Sequence, residues 1–296
     1  SIKNEIEKLK CQIIELPSRQ TETIKYFFAL ESFIRKNSIE VIHAHGNSGT
    51  LAIELLAGWF GGCKKRIAHS HNTKCDYVKA DKILRPIFNL LYTDALACGN
   101  NAGKWLFGKR PFTILFNGRD IELFTFNEEL RKQKRRELRI ENEIVVGHVG
   151  GFTKPKNYQF LLDIYRELLK MEPSIRLVLI GDGPLKDDVK AKADDMKNNL
   201  LFVDATSQVA DYLQAMDGML LPSLYEGLPL VALEWQINGL PCILSDVVTK
   251  ECAFADNCKF MSLENSPEEW AKAIIVLVKD NERAEESRKA ANNAKI

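Results

Sequence analysis

Apolar residues along this chain fall into two alternating patterns. Some form short continuous runs, as buried strands do. Others recur every three or four residues, as on one face of a helix. The segment up to Lys10 reads as a helix without a proper start, and 11–16 as a short strand closed by Pro17. Across 21–37, Tyr26, Phe27, Leu30, Phe33 and Ile34 share a helical face. Strands are then predicted at 39–45, 65–71, 95–98 and 112–116, with helices at 50–60, 83–92 and 101–107. The second half restarts the alternation. Its strands are predicted at 144–149, 176–181, 200–203, 218–221, 241–245 and 259–261, and its helices at 158–171, 185–196, 209–215, from Pro229 through 237, and 267–278. Such alternation predicts parallel sheets with helices on both faces, an α/β doubly wound fold. The usual opening strand and Gly-rich turn are missing, so the chain reads as a fragment whose first domain is incomplete.

At 296 residues the chain should hold about two domains. The boundaries expected are 1–120, a linker at 121–142, and 143–296. The linker carries the basic run Arg131, Lys132, Lys134, Arg135, Arg136 and Arg139, predicted as a solvated helix joining the domains. No aromatics interleave with it, which argues against nucleic acid. No apolar run approaches the ~18 residues that span a bilayer. Ser1 to Gln12 is charged throughout and does not read as a signal peptide. Seven scattered cysteines without a CxxC pair exclude a zinc cluster or disulfide framework and fit a reducing cytoplasm. A net charge of +1 conceals an asymmetry: residues 1–140 carry 24 Lys and Arg against 15 Asp and Glu, the remainder 17 against 25. The basic half, including Lys64, Lys65, Arg66, Lys104, Lys109 and Arg110, could face an anionic membrane surface or a phosphate-bearing substrate.

The chemistry concentrates on loops after strands, the edge where open α/β sheets bind ligands. These loops are 150–157, with Gly150, Gly151, Lys154 and Lys156; 181–184, with Gly181 and Gly183; 204–207; and 223–229. Glycine there lets backbone approach a phosphate. Neither GxGxxG nor a P-loop occurs, which argues against a dehydrogenase or NTPase. In the stretch 222–236, a strand enters a loop with Glu226 and Gly227, and Pro229 opens a helix carrying Glu234. A helix start of this kind suits an anion. Four of the five histidines form two HxH pairs, His43/His45 and His69/His71, at successive strand ends. Alternation puts each pair on one face. Zinc is the alternative to a polar cleft-facing site. With no cysteine or carboxylate at ligand spacing, no metal is expected.

The ordered set of motifs resembles family 4 of the retaining, nucleotide-sugar-dependent glycosyltransferases (glycosyltransferase group 1). It is most similar to bacterial enzymes of capsule, exopolysaccharide or teichoic-acid-type synthesis. The matching text is VIHAHG at 41–46, IAHSHN at 67–72, FNG at 116–118, GHVG at 147–150 with Lys156 and Asn157, LIGDGPL at 179–185, AMD at 215–217, LPSLYEGLP at 221–229 and GLPC at 239–242. The resemblance implies the GT-B fold, two Rossmann-like domains with a cleft between them, the first binding acceptor and the second the nucleotide-sugar donor. It implies that Glu234 binds the ribose hydroxyls, Glu226 the donor sugar and Lys156 the diphosphate. The backbone of Gly227, Leu228, Pro229, Leu230 and Val231 would hold sugar and diphosphate, with Gly150, Gly151, Gly181 and Gly183 lining the donor site. His45, Glu226 and Lys156 would form the catalytic set. His43, His45, Gly46, His71, Asn72, Asn117 and Gly118 would line the acceptor side and cleft. No cofactor or metal is implied, because lysine and helix amides stabilise the departing phosphate.

The function so implied is transfer of a hexose, with retention, from a nucleotide sugar (UDP-linked by expectation) to a lipid-linked or polysaccharide acceptor. The location implied is the cytoplasm, at the inner face of the membrane. Two features depart from the family pattern. Gly151 stands where the family usually has Arg, with Lys154 or Arg119 as candidate substitutes. The terminal helix that crosses back onto the first domain is also missing. These departures motivate one alternative, a catalytically impaired nucleotide-sugar-binding paralogue; the other alternative is a UDP-sugar epimerase of related fold.

Overall fold

The computed structural model describes residues 11–75, 77–140 and 142–293. The helix expected up to Lys10 lies outside the described residues. The chain divides into two compact units, 1–115 and 116–296. In the first, β1 (Val41–Gly46), β2 (Lys65–Ser70), β3 (Asp94–Ala97) and β4 (Thr113–Ile114) form a parallel sheet in that order. Helices α1 (Thr23–Lys36), α2 (Ala52–Gly61), α3 (Val78–Leu91) and α4 (Asn100–Phe107) belong to this unit. Ala44, Leu55, Ala68, Phe88, Leu106 and Phe107 form its core. The strand expected at 11–16 does not form. A strand needs a ladder for its N–H and C=O groups, and Ile13 and Ile14 instead stand exposed.

The second unit holds α5 (Ile121–Phe124), α6 (Glu128–Glu137), β5 (Val145–Val149), α7 (Tyr158–Met171), β6 (Arg176–Ile180), α8 (Lys186–Lys192), β7 (Leu200–Val203), α9 (Val209–Ala215), β8 (Gly218–Leu221), α10 (Leu230–Ile237), β9 (Cys242–Ser245), β10 (Cys258–Met261), α11 (Pro267–Lys279) and α12 (Arg283–Asn293). Its six parallel strands run β10-β9-β8-β5-β6-β7. Order therefore reverses between β5 and β8, where a doubly wound sheet opens a crevice beyond its strand ends. Strands such as β5 and β8 are buried throughout, as both covered faces require. Helix α11 begins at a capping box, Ser266 with Glu269, followed by Pro267, and buries Trp270.

The basic run does form a helix, capped by the Asn127 side chain, but it is not merely solvated. Arg135 is buried, and Arg131 and Arg135 both reach Asp217. The residues read as a linker thus belong to the second unit. Helix α12, which local pattern left unassigned, packs against α10. No helix among the described residues is long and apolar enough to cross a membrane.

Candidate functional site

The loops after β5 and β8 flank the point where strand order reverses. The Leu224 N–H donates to the Pro155 carbonyl at 2.7 Å and ties them together. This contact places Lys156 against Glu226, with Nζ 2.6 Å from Oε1. The Ser223 hydroxyl donates to the same oxygen at 2.8 Å. The Ser245 hydroxyl on the adjacent strand in turn bonds the Ser223 carbonyl. Lys156 ends a single 3-10 turn and is followed by Asn157 in the left-handed region, from which α7 starts. Beneath lies His148, fully buried, with Nδ1 2.8 Å from the Leu220 carbonyl. Because a carbonyl only accepts, Nδ1 carries the proton and Nε2 is a bare lone pair. Burial, and then the Lys156 charge, push its pKa down to about 3, so it is neutral beside that cation. A Cβ on Gly150 would lie 3.0 Å from the Lys156 stem and 3.2 Å from His148 Nε2. Glycine at 150 therefore makes room for the lysine.

Helix α10 buries six of its eight residues, Ala232 through Ile237. A helix apolar nearly all round belongs in the interior, so Glu234 is carried inward with it. An ionised carboxylate there needs a partner. Arg119 supplies it, with Nε 2.6 Å from Glu234 Oε1. Burial raises the Glu234 pKa above the ordinary carboxylate value and Arg119 opposes the rise. Pro229 is the N-cap of α10 and has no N–H. The free amides at this helix start are those of Leu230 and Val231, which have no intrahelical acceptor.

The second glycine loop serves the first rather than facing open space. A Cβ on Gly181 would lie 2.0 Å from the Gly150 carbonyl oxygen, and one on Gly183 2.7 Å from that of Phe152. Both have positive φ. The Phe152 N–H donates to the Asp182 carbonyl and the Leu185 N–H to that of Phe152, which welds the loops. Gly151 differs: it is exposed, and a Cβ there meets nothing closer than 3.6 Å. Asn117 is half-buried, and a Cβ on Gly118 would meet nothing within 4 Å.

In the first unit, β1 and β2 pair in register with His45 opposite His69. All four histidines meet. His43 Nε2 lies 3.1 Å from His69 Nδ1, and His45 Nδ1 lies 2.8 Å from His71 Nε2. Burial and neighbouring imidazoles depress His45, His71 and, to about 4, His69, so these rings are neutral at neutral pH. His43, His45 and Gly46 line a cavity of about 500 Å³ with Arg19, Tyr26 and Tyr77. Gly46 leaves space for Leu51, and the Asn72 side-chain Oδ1 accepts the Thr73 N–H.

Sequence reasoning missed Ser223, His148 and the Arg119–Glu234 pair. Arg119 was weighed for the diphosphate, yet it stands at the carboxylate assigned to ribose. Its only signal was a charge directly after the FNG motif at 116–118.

A family model described as "Glycosyl transferases group 1" matches residues 130–295. The putative glycosyltransferase EpsF of Bacillus subtilis is 32% identical over 287 residues, covering 91% of this chain and 74% of that protein. A UDP-Gal:alpha-D-GlcNAc-diphosphoundecaprenol alpha-1,3-galactosyltransferase of Escherichia coli is 27% identical, covering 87% of this chain and 71% of that protein. Among solved structures, Anabaena Alr3699/HepE in complex with UDP-glucose superposes with a TM-score of 0.81 at 16% identity, covering 99% of this chain and 82% of that one. The two parallel-sheet units and these likenesses define the GT-B fold. The chain belongs to the group 1 glycosyltransferases.

Proposed function

We propose that the chain transfers a hexose from a UDP-sugar, with retention, to a lipid-linked or polysaccharide acceptor in cell-surface polysaccharide synthesis. The observation that carries this reading is the Lys156–Glu226 pair at the point where strand order reverses, with Glu234 on the adjoining helix. Glu234 accepts the ribose hydroxyls and Glu226 a donor-sugar hydroxyl. Lys156 and the Leu230 and Val231 amides take the diphosphate as its bond to the sugar breaks. His45 contacts the donor sugar, and the cavity beside it takes the acceptor. The name of the Escherichia coli galactosyltransferase and the UDP-glucose bound by HepE support the donor class. The basic residues of the first half support work at an anionic inner membrane face.

Both site carboxylates are paired with site cations before any ligand arrives. Donor binding is then an exchange of partners: ribose hydroxyls compete with Arg119 for Glu234, and diphosphate competes with Glu226 for Lys156. Glu234→Ala removes an acceptor of charge-assisted hydrogen bonds and leaves Arg119 unpaired. Calorimetric titration with UDP is expected to show ~30–100-fold weaker binding, about 2–3 kcal/mol. Unchanged UDP affinity would sink the assignment.

Gly151 favours a second reading, a nucleotide-sugar-binding paralogue of low turnover. The loop is open there, so an arginine fits without strain. Gly151→Arg is expected to raise donor turnover, by up to the ~10²-fold that one preorganised charge supplies. If the unaltered protein turns over at rates typical of transferases and the variant gains nothing, the second reading is excluded.

A further inference from the structure

The geometry points to a transition-metal site formed by His43, His45 and His69, with His71 as the outer partner, taking a single Zn²⁺ held by imidazole alone. Each of the three rings offers a nitrogen, and these atoms all lie within 4.8 Å of one another. His43 Nε2 and His69 Nδ1 are 3.1 Å apart. Two ligands of a tetrahedral zinc, with Zn–N bonds of ~2.0–2.1 Å, are about 3.3 Å apart. That pair already spans a tetrahedral edge to within a few tenths of an ångström.

The remaining structure is what such a site requires. His69 is buried at 4% exposure, which holds its ring in place with Nδ1 toward His43. His71 Nε2, 2.8 Å from His45 Nδ1, is the outer hydrogen bond that fixes the tautomer and orientation of a ligating histidine. The rigid β1–β2 ladder sets the spacing, since His45 faces His69 in register. His43 and His45 line the 500 Å³ cavity, which gives an ion an entry path. Three nitrogens leave a fourth position for water or an oxygen ligand. The pairs lie on separate strands, which is why a search for cysteine or carboxylate at local spacing passes over them.

The ion takes no part in the transfer proposed above. By engaging His45 it would occupy a position assigned to the donor sugar, and so act as an inhibitor. The site itself is tested without any activity. The protein is stripped with a chelator, dialysed and titrated with Zn²⁺ against a chromophoric competitor, then with Co²⁺ followed in the visible. We expect one ion per chain at micromolar concentration, and Co²⁺ ligand-field bands without a thiolate charge-transfer band. His43→Ala and His45→Ala alter exposed side chains and leave the core intact. Each should weaken binding at least tenfold, and His71→Ala ~10–100-fold through the outer hydrogen bond. The proposal is overturned by any of three results: no stoichiometric binding, affinity unchanged in the His43→Ala/His45→Ala double variant, or a thiolate band that assigns the ion to cysteine.

Discussion

Lys156→Met should cut turnover on a UDP-sugar by ~10²–10³-fold, about 2.7–4 kcal/mol of transition-state stabilisation. Two effects add. The cation proposed to meet the developing charge on the departing diphosphate is lost. Glu226, whose Oε1 is held by Lys156 and Ser223, also loses the Lys156 charge and would repel a diphosphate bound as proposed. The second effect makes the prediction specific. In the Lys156→Met/Glu226→Gln double variant the like-charge repulsion is gone, so UDP affinity should recover part of the loss. The two substitutions share one contact, and a coupling of ~0.5–3 kcal/mol is expected. Strict additivity in the calorimetric cycle would mean that the pair does not face the diphosphate.

Arg283→Met should lower the melting temperature of the second unit by roughly 10 °C. Arg283 is enclosed at the C-terminus of α9. Its guanidinium donates to the carbonyls of Leu213, Gln214 and Met216, reaches Asn238 Oδ1, and lies 4.4 Å over the Phe126 ring. The last carbonyls of a helix have no intrahelical donor. Three arginines serve them here: Arg131 also bonds Gln214 and Met216, and Arg135 bonds Ala215. Burial pulls the Arg283 pKa well down, with Arg131 adding like charge and Asp217 opposing. Desolvation thus works against Arg283, and methionine relieves it. The Leu213 carbonyl keeps the Met216 N–H as a donor, but the Asn238 amide oxygen is orphaned; together with the lost charge-assisted bonds this outweighs the relief and leaves a net loss of roughly 3–4 kcal/mol. For a unit of this size about 2–4 °C accompanies each kcal/mol. A melting temperature within about 2 °C of the parent's would show that Arg131 and Arg135 suffice to cap the helix.

Much of the fold was legible because the two periods, continuous runs and helical stripes, are local. Strands β7 and β8 and helices α7, α9 and α10 fall where apolar pattern and the Pro229 break place them. The failures have local causes too. The run at 11–16 has strand composition without a neighbouring ladder. The helix expected over 185–196 stops at Lys192, and a 3-10 turn, Asp194–Asn199, follows. Helix α12 is polar along most of its length and shows no stripe, yet it buries Ser287 and Ala290. The candidate site was legible as a set of residue types on strand-end loops. The glycines were read as phosphate-facing, whereas Gly181 and Gly183 are required by the backbone of the neighbouring loop.

The sequence by itself determined the parallel α/β class, the order of the motifs, and hence the family. Each of these rests on neighbours a few residues apart. Only the tertiary structure decided which charged and ligating groups meet. Lys156 finds Glu226 across 70 residues, Arg119 finds Glu234 across 115, and His43 finds His69 across 26. Those meetings follow from strand order, register and the burial of whole helices. Local periodicity assigns a side chain to a face, and the partner on that face depends on which strand lies alongside.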